Sequence, residues 1–199
     1  MKKINLLIII LLFSITFIQA QNSKPTRIVK VDPLALFVST ISLRMEQVLN
    51  GEYSIQAGGS FTTQEVTMWE GLQGRAMGYT VNMQLRRYFV PGYEMIQQVA
   101  PEGVYIGAWA RYEHLDAKLR IGDDQADMLN GAAYSGGVMA GCQFWIKFKK
   151  QDIALLDAFM GGGYKVADYS GRFSEKGRLI NYARSGIVPR LVLSLGIPL

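Results

Sequence analysis

Charged side chains recur at alternate positions within otherwise apolar segments, and this spacing is the first chemistry the chain offers. Lys30, Asp32, Arg44, Glu46, Arg86, Arg111, Glu113, Lys147, Asp157, Lys165 and Arg190 all fall this way. Both signs occur. If one face gathers them, opposite charges pair, because a buried charge without a partner is costly. That predicts a structural ion-pair network, with a gated solute path or a proton-linked site as the chemical alternative.

The other candidates are weaker. His114 is the single histidine. Nucleophilic catalysis would need a serine and an orienting carboxylate beside it. Glu113 and Asp116 flank it in sequence, but strand neighbours point to opposite faces, and no local serine motif accompanies it. A histidine near a strand end is the plainer reading. Asp123, Asp124 and Asp127 are spaced closely enough to hold Ca²⁺, yet they lack the twelve-residue pattern of a dedicated loop and read as solvated. Gly161 to Gly163 has no Lys-Ser/Thr after it, so it is not a phosphate loop. Cys142 stands alone and reads as a small apolar side chain. The sequence therefore predicts no catalytic residue, no metal site and no cofactor.

The elements that must carry the charges read as strands. Period-two alternation sets Ile41, Leu43 and Met45 against Ser42, Arg44 and Glu46, and Tyr53, Ile55, Ala57 and Phe61 against Ser54, Gln56, Gly58 and Ser60. It continues through Gly78 to Tyr88, Val104 to Lys118, Ala132 to Phe148, Ile153 to Tyr169 and Ile187 to Leu199. With a first segment from Arg27 to Val38, this predicts eight strands. Asn50-Gly51 is a tight-turn signal. Long connections are expected at 62–77, 119–131 and 170–186, and short ones at 50–52 and 149–152. The first outer connection, near Ser39 and Thr40, reads as very short. A helical turn from Tyr93 to Val99 fits the longer segment between Phe89 and Gly103.

Compartment and solvent follow from the ends and the composition. Lys2 and Lys3 precede an apolar run from Ile4 to Ile18 that stops at Ala20. This reads as a signal peptide over residues 1–20 with a barrel domain over 21–199. The formal charge of +5 falls to +3 without those two lysines, too little to suggest nucleic acid as a partner. Several predicted strands exceed the five or six residues usual in a soluble sheet and suit a tilted membrane crossing. In hydrocarbon an open sheet edge is excluded, so an even number of antiparallel strands must close. The expected fold is all-β: an eight-stranded, antiparallel, up-and-down transmembrane barrel in a bacterial outer membrane. Gly58, Gly107, Gly137, Gly141, Gly161, Gly163 and Gly196 would face a narrow lumen crossed by large side chains. Tyr53, Phe61, Tyr79, Tyr88, Tyr105, Tyr112, Tyr134 and Tyr164 would form interfacial girdles. Arg172, Lys176, Arg178 and Arg184, against Glu175 alone, would face the phosphates of an outer-leaflet glycolipid.

The stretch APEGVYIGAWARY from Ala100 to Tyr112 resembles a segment of a family of small outer-membrane β-barrel proteins of unknown function. DPLAL from Asp32 to Leu36, with Ile41 to Glu46, resembles its first hairpin. LDAFMGGGY from Leu156 to Tyr164 and PRLVLSLG from Pro189 to Gly196 resemble its last strands. The likeness covers most of the chain beyond residue 20. It implies fold and location and carries no catalytic roles. One departure is the ending Gly196-Ile-Pro-Leu199, where such barrels commonly carry a terminal aromatic read by the assembly machinery.

The expected function is that of a non-enzymatic integral outer-membrane protein, a monomer, supporting the envelope or making surface contact through its outer loops. Its partners would be membrane lipid, glycolipid and the barrel-assembly machinery. The alternatives are a narrow solute or ion channel, and a periplasmic barrel for apolar ligands with the inward face apolar instead.

Overall fold

Alternation of faces is realised in eight strands that hydrogen-bond in chain order. The structure, a computed structural model, describes residues 27–49, 52–67, 72–89, 101–121, 127–148, 151–170 and 185–199. The strands are β1 (Arg27–Val31), β2 (Thr40–Val48), β3 (Tyr53–Thr67), β4 (Leu72–Phe89), β5 (Gly103–Ile121), β6 (Asp127–Phe148), β7 (Gln151–Ser170) and β8 (Gly186–Pro198). Each pairs antiparallel with the next, and β1 pairs with β8, Ile28 opposite Pro198 and Val31 opposite Leu195, so the barrel is closed. From Gly196 the register runs through Lys30, Arg44, Gly58, Asn82, Arg111, Ser135 and Lys165 and returns to β8 at Gly186. Gly196 to Gly186 is a stagger of ten residues. A stagger of this kind is what tilts barrel strands and brings side chains from distant strands to one level of the lumen.

Three boundaries differ from the sequence expectation. The first strand ends at Val31, not Val38. Pro33 has no N–H for a ladder, and residues Pro33–Val38 form a 3-10 helix instead, closed by Ser39 in the left-handed region (φ 53°). Residues 62–67 and 72–77 are paired strand rather than loop, Thr62 opposite Gly78 and Thr67 opposite Gln73. The same holds for 119–121 and for 127–131. Asn50, Gly51 and the segment Tyr93 to Val99 lie outside the described residues, as do 171–184. The result is a barrel of uneven height. The wall is low at β1 (5 residues) and β2 (9 residues) and tall at β4, β5, β6 and β7 (18–22 residues).

Large inward side chains need gaps opposite them. A Cβ on Gly141 would stand 2.7 Å from Cζ of Tyr105 and 2.6 Å from Cβ of Phe159, and one on Gly163 would stand 2.7 Å from Cζ2 of Trp109. Overpacking of this kind typically destabilises by about 1–3 kcal/mol. Gly141→Val is therefore expected to lower the urea midpoint of the detergent-refolded protein. Gly162→Ala is the control, because a Cβ there meets nothing within 4 Å.

Candidate functional site: a charge network across the lumen

Alternation delivers four charges from four strands to one level near the end of the barrel where β1 begins and β8 finishes. Lys30 (β1), Glu46 (β2), Arg86 (β4) and Asp157 (β7) are all 0% exposed. Lys30 Nζ lies 2.5 Å from Glu46 Oε2 and 2.6 Å from Asp157 Oδ2. Arg86 NH1 lies 2.9 Å from Asp157 Oδ2 and 3.6 Å from Glu46 Oε2. Each cation touches both carboxylates, so the four sum to zero charge. Neutral groups take up the remaining lone pairs. Ser54 Oγ (2.5 Å) and the Tyr88 hydroxyl (2.6 Å) donate to Glu46 Oε1, and the Tyr105 hydroxyl donates to Asp157 Oδ1 (2.6 Å). Gln143 Oε1 accepts from Lys30 (2.6 Å) and Arg86 (3.0 Å), while Gln84 Oε1 accepts from Arg86 Nε and NH2. Arg86 also stacks over Tyr105, 4.5 Å from its centroid. Buried charges are tolerated when they are paired and hydrogen-bonded in this way.

Above this layer Trp109, Met139 and Phe159 pack with Val188 and Val192. Arg190 lies over the Trp109 ring (4.9 Å) and the Phe159 ring (5.2 Å). Arg44 meets Asp32 as an ion pair. Nearer the loops, Glu113 pairs with Arg111 (3.0 Å) and with Lys165. Of the charges singled out in sequence, ten therefore face the lumen: Lys30, Asp32, Arg44, Glu46, Arg86, Arg111, Glu113, Asp157, Lys165 and Arg190. Lys147 does not stay with them. It is exposed, next to a register shift between Ile146 and Lys147.

Sequence reasoning passed over the neutral half of the network. Gln143, Gln84 and Ser54 carry no charge, yet parity placed Gln143 with Gly141, and Ser54 with Gln56. Tyr88 and Tyr105, expected in an outer girdle, are 1% and 0% exposed inside the lumen. They share the inward face with Arg86 and Gly107, and parity outranks nearness to a strand end.

The outer face is the inverse of the lumen. Ile41, Met83, Ile106, Val138, Met160 and Leu191 leave between 51% and 81% of their surface exposed. Towards the loops this apolar band ends in outward aromatics. Tyr79 lies 6.0 Å from Tyr112, which lies 5.0 Å from Tyr134, and Phe61 and Tyr164 continue the row. Beyond them outward polar positions accumulate, Glu65, Arg75, Asp116, Lys118, Asn130 and Asp168, with Met77 and Val166 still among them. At the other end Arg87 pairs with Glu52 (3.3 Å) beside the rings of Tyr53 and Phe89. Cys142 is exposed on this face.

His114 belongs to the outer aromatic row. Its ring centroid is 5.2 Å from that of Tyr79, and Nε2 is 3.3 Å from Asp116 Oδ2. Asp116 is two residues on, so it shares the face of His114, while Glu113 turns inward. Asp123 and Asp124 lie outside the described residues, and Asp127 opens β6. Arg172, Lys176, Arg178 and Arg184 also lie outside them. Among the described residues no three His, Cys, Asp or Glu side chains gather as a metal site.

No curated protein and no solved structure matches the chain. A family model described as "Protein of unknown function (DUF3575)" matches residues 6–182, and the chain belongs to that family.

Proposed function

We propose that this protein is an integral outer-membrane barrel, exported behind the segment 1–20, that works without catalysis. Its lumen is closed, its wall stands in lipid, and its contribution is to envelope integrity and to surface contact through the loop end. The observation that carries this reading is the exposed apolar band bounded by aromatics, around a lumen that holds the buried charge. A soluble barrel for apolar ligands would have the reverse arrangement, with apolar side chains inside. From Val104 to Tyr112 on β5 the band has the reach of the roughly 9–11 tilted residues that cross a bilayer.

The low side of the wall supports the same reading. The 3-10 helix leaves Leu34, Leu36, Phe37 and Val38 exposed, Phe37 at 86%. The Ser39 carbonyl accepts the Thr63 N–H (3.1 Å), which holds the end of this helix level with the aromatic row at Phe61. An apolar turn there completes the boundary of the band where β1 and β2 stop short. Lipid is the partner on the wall. Outer-leaflet glycolipid is the proposed partner of Arg172, Lys176, Arg178 and Arg184, and the assembly machinery inserts the chain, which acts as a monomer.

Two measurements test the proposal. Isolated outer membranes washed with carbonate are expected to retain the protein, and the extracted barrel is expected to shift on SDS gels when boiled. Recovery in the periplasmic fraction without a shift would overturn the membrane reading. Planar bilayers containing the refolded protein are expected to stay silent, because Lys30, Glu46, Arg86 and Asp157 cross the lumen in contact with one another. A steady open current would replace the closed barrel with a channel.

A further inference from the structure

The middle of the lumen holds more positive charge than its carboxylates answer. Glu46 and Asp157 engage Lys30 and Arg86. Glu113 serves both Arg111 and Lys165, and Asp32 touches Arg44. Arg190 makes no ion pair among the described residues. Its guanidinium rests on Trp109 and Phe159.

The donors in this region are also unspent. Arg44 is 2% exposed; its NH2 is engaged by Asp32, while its Nε and NH1 have no hydrogen-bond acceptor. Arg190 NH1, Arg111 Nε and Trp109 Nε1 are buried without acceptors as well. A buried donor left unmade is destabilising, and a charged one more so. The inward face of neighbouring strands carries these groups at related levels. The stem of Arg44 lies over Gly58, where a Cβ would overlap its Cγ. Across Gly58 the next residue in register is Asn82, and the next is Arg111. Trp109 sits two residues from Arg111 on the same face of β5 and carries Arg190 on its ring.

We propose that the mid-lumen binds one small inorganic oxyanion of the phosphate class, held by the guanidiniums of Arg44, Arg111 and Arg190 and by the Trp109 indole N–H. Guanidinium forks match oxyanions in geometry as well as charge. The neutral layer of Lys30, Glu46, Arg86 and Asp157 closes the lumen at the end where β1 begins and β8 finishes, so the anion enters from the opposite end. The site depends on the lumen alone and stands whether the wall faces lipid or water.

The test is a titration of the chain, refolded in zwitterionic detergent and dialysed into gluconate, with inorganic phosphate at fixed ionic strength. The readouts are the thermal midpoint and tryptophan fluorescence. A saturable rise of several degrees is expected, together with a saturable change in fluorescence. Arg190→Gln is expected to weaken the apparent affinity ten-fold or more. Arg190→Lys keeps the charge without the fork and is expected to fall between the two, which separates loss of binding from loss of fold. No saturable response of the unaltered chain would mean that water satisfies these donors, and would overturn the proposal. An equal response in all three proteins would place the phosphate away from Arg190, and would overturn it too.

Discussion

Lys30→Met is expected to weaken the barrel by about 3–5 kcal/mol, the range for a buried ion pair that loses one partner. Lys30 contacts both Glu46 and Asp157 within 2.6 Å, and all three are fully buried. Without it the two carboxylates are left with Arg86, and the layer carries a net negative charge. The removed ammonium also leaves Gln143 Oε1 with less to accept. Urea unfolding in detergent, followed by the gel shift on boiling, measures the effect. Lys30→Met combined with Asp157→Asn restores neutrality and is expected to be milder than Lys30→Met alone. Groups in one network couple by amounts a double-mutant cycle detects. A single variant as stable as the unaltered chain would mean that packing, not charge, holds this layer.

Val138→Arg is expected to be nearly as damaging, but only in lipid. Val138 points outward and is 70% exposed, between the outward Tyr134 and Phe144 on β6. In water a substitution at so exposed a site changes stability by roughly 0.5 kcal/mol or less. At the middle of a bilayer an outward arginine costs about 2–4 kcal/mol. Folding into vesicles of short-chain lipid therefore distinguishes the two solvents. Asp168→Arg, on the polar side of the aromatic row, serves as the control and is expected to be silent. If both variants fold into vesicles equally well, the apolar band does not face lipid.

The two faces of each strand were readable because their chemistry differs at period two, and the lumen charges followed from that. The strand ends were not readable for the same reason. Past the aromatic row Thr63, Glu65 and Arg75 make the outward face polar, so alternation fades at 62–77 while the backbone ladder of β3 and β4 continues. Signal in side chains is lost where the hydrogen bonds persist. The opposite failure occurs at Pro33 to Val38. Its apolar residues extend the strand pattern, but Pro33 supplies no N–H and the chain turns into a 3-10 helix. Tyr88 and Tyr105 show a third cause. Residue type suggested a lipid boundary, whereas their parity aimed the hydroxyls at Glu46 and Asp157. Gln143 was visible as an inward residue but not as a hub. Its role comes from where Lys30 and Arg86 meet, which the stagger of the barrel decides.

The seam of the barrel has a consequence for the order of folding. Seven of the strand pairings join neighbours in the chain, whereas β1 must find β8, with Ile28 opposite Pro198. Contacts between distant parts of a chain carry the larger closure entropy and form late. Lys30 sits on β1 and reaches Asp157, 127 residues away, as well as Glu46 on the neighbouring strand. Until β1 meets β8, Lys30 stays beside Glu46 on the neighbouring β2 and Asp157 is without the ammonium. The contact of Lys30 with Asp157 therefore forms only as the strands close, which makes this half of the network a latch for closure. A latch engaged after the transition state acts on escape rather than entry. Lys30 variants are thus expected to open faster while folding at nearly the same rate, so that the network governs how long a closed barrel persists.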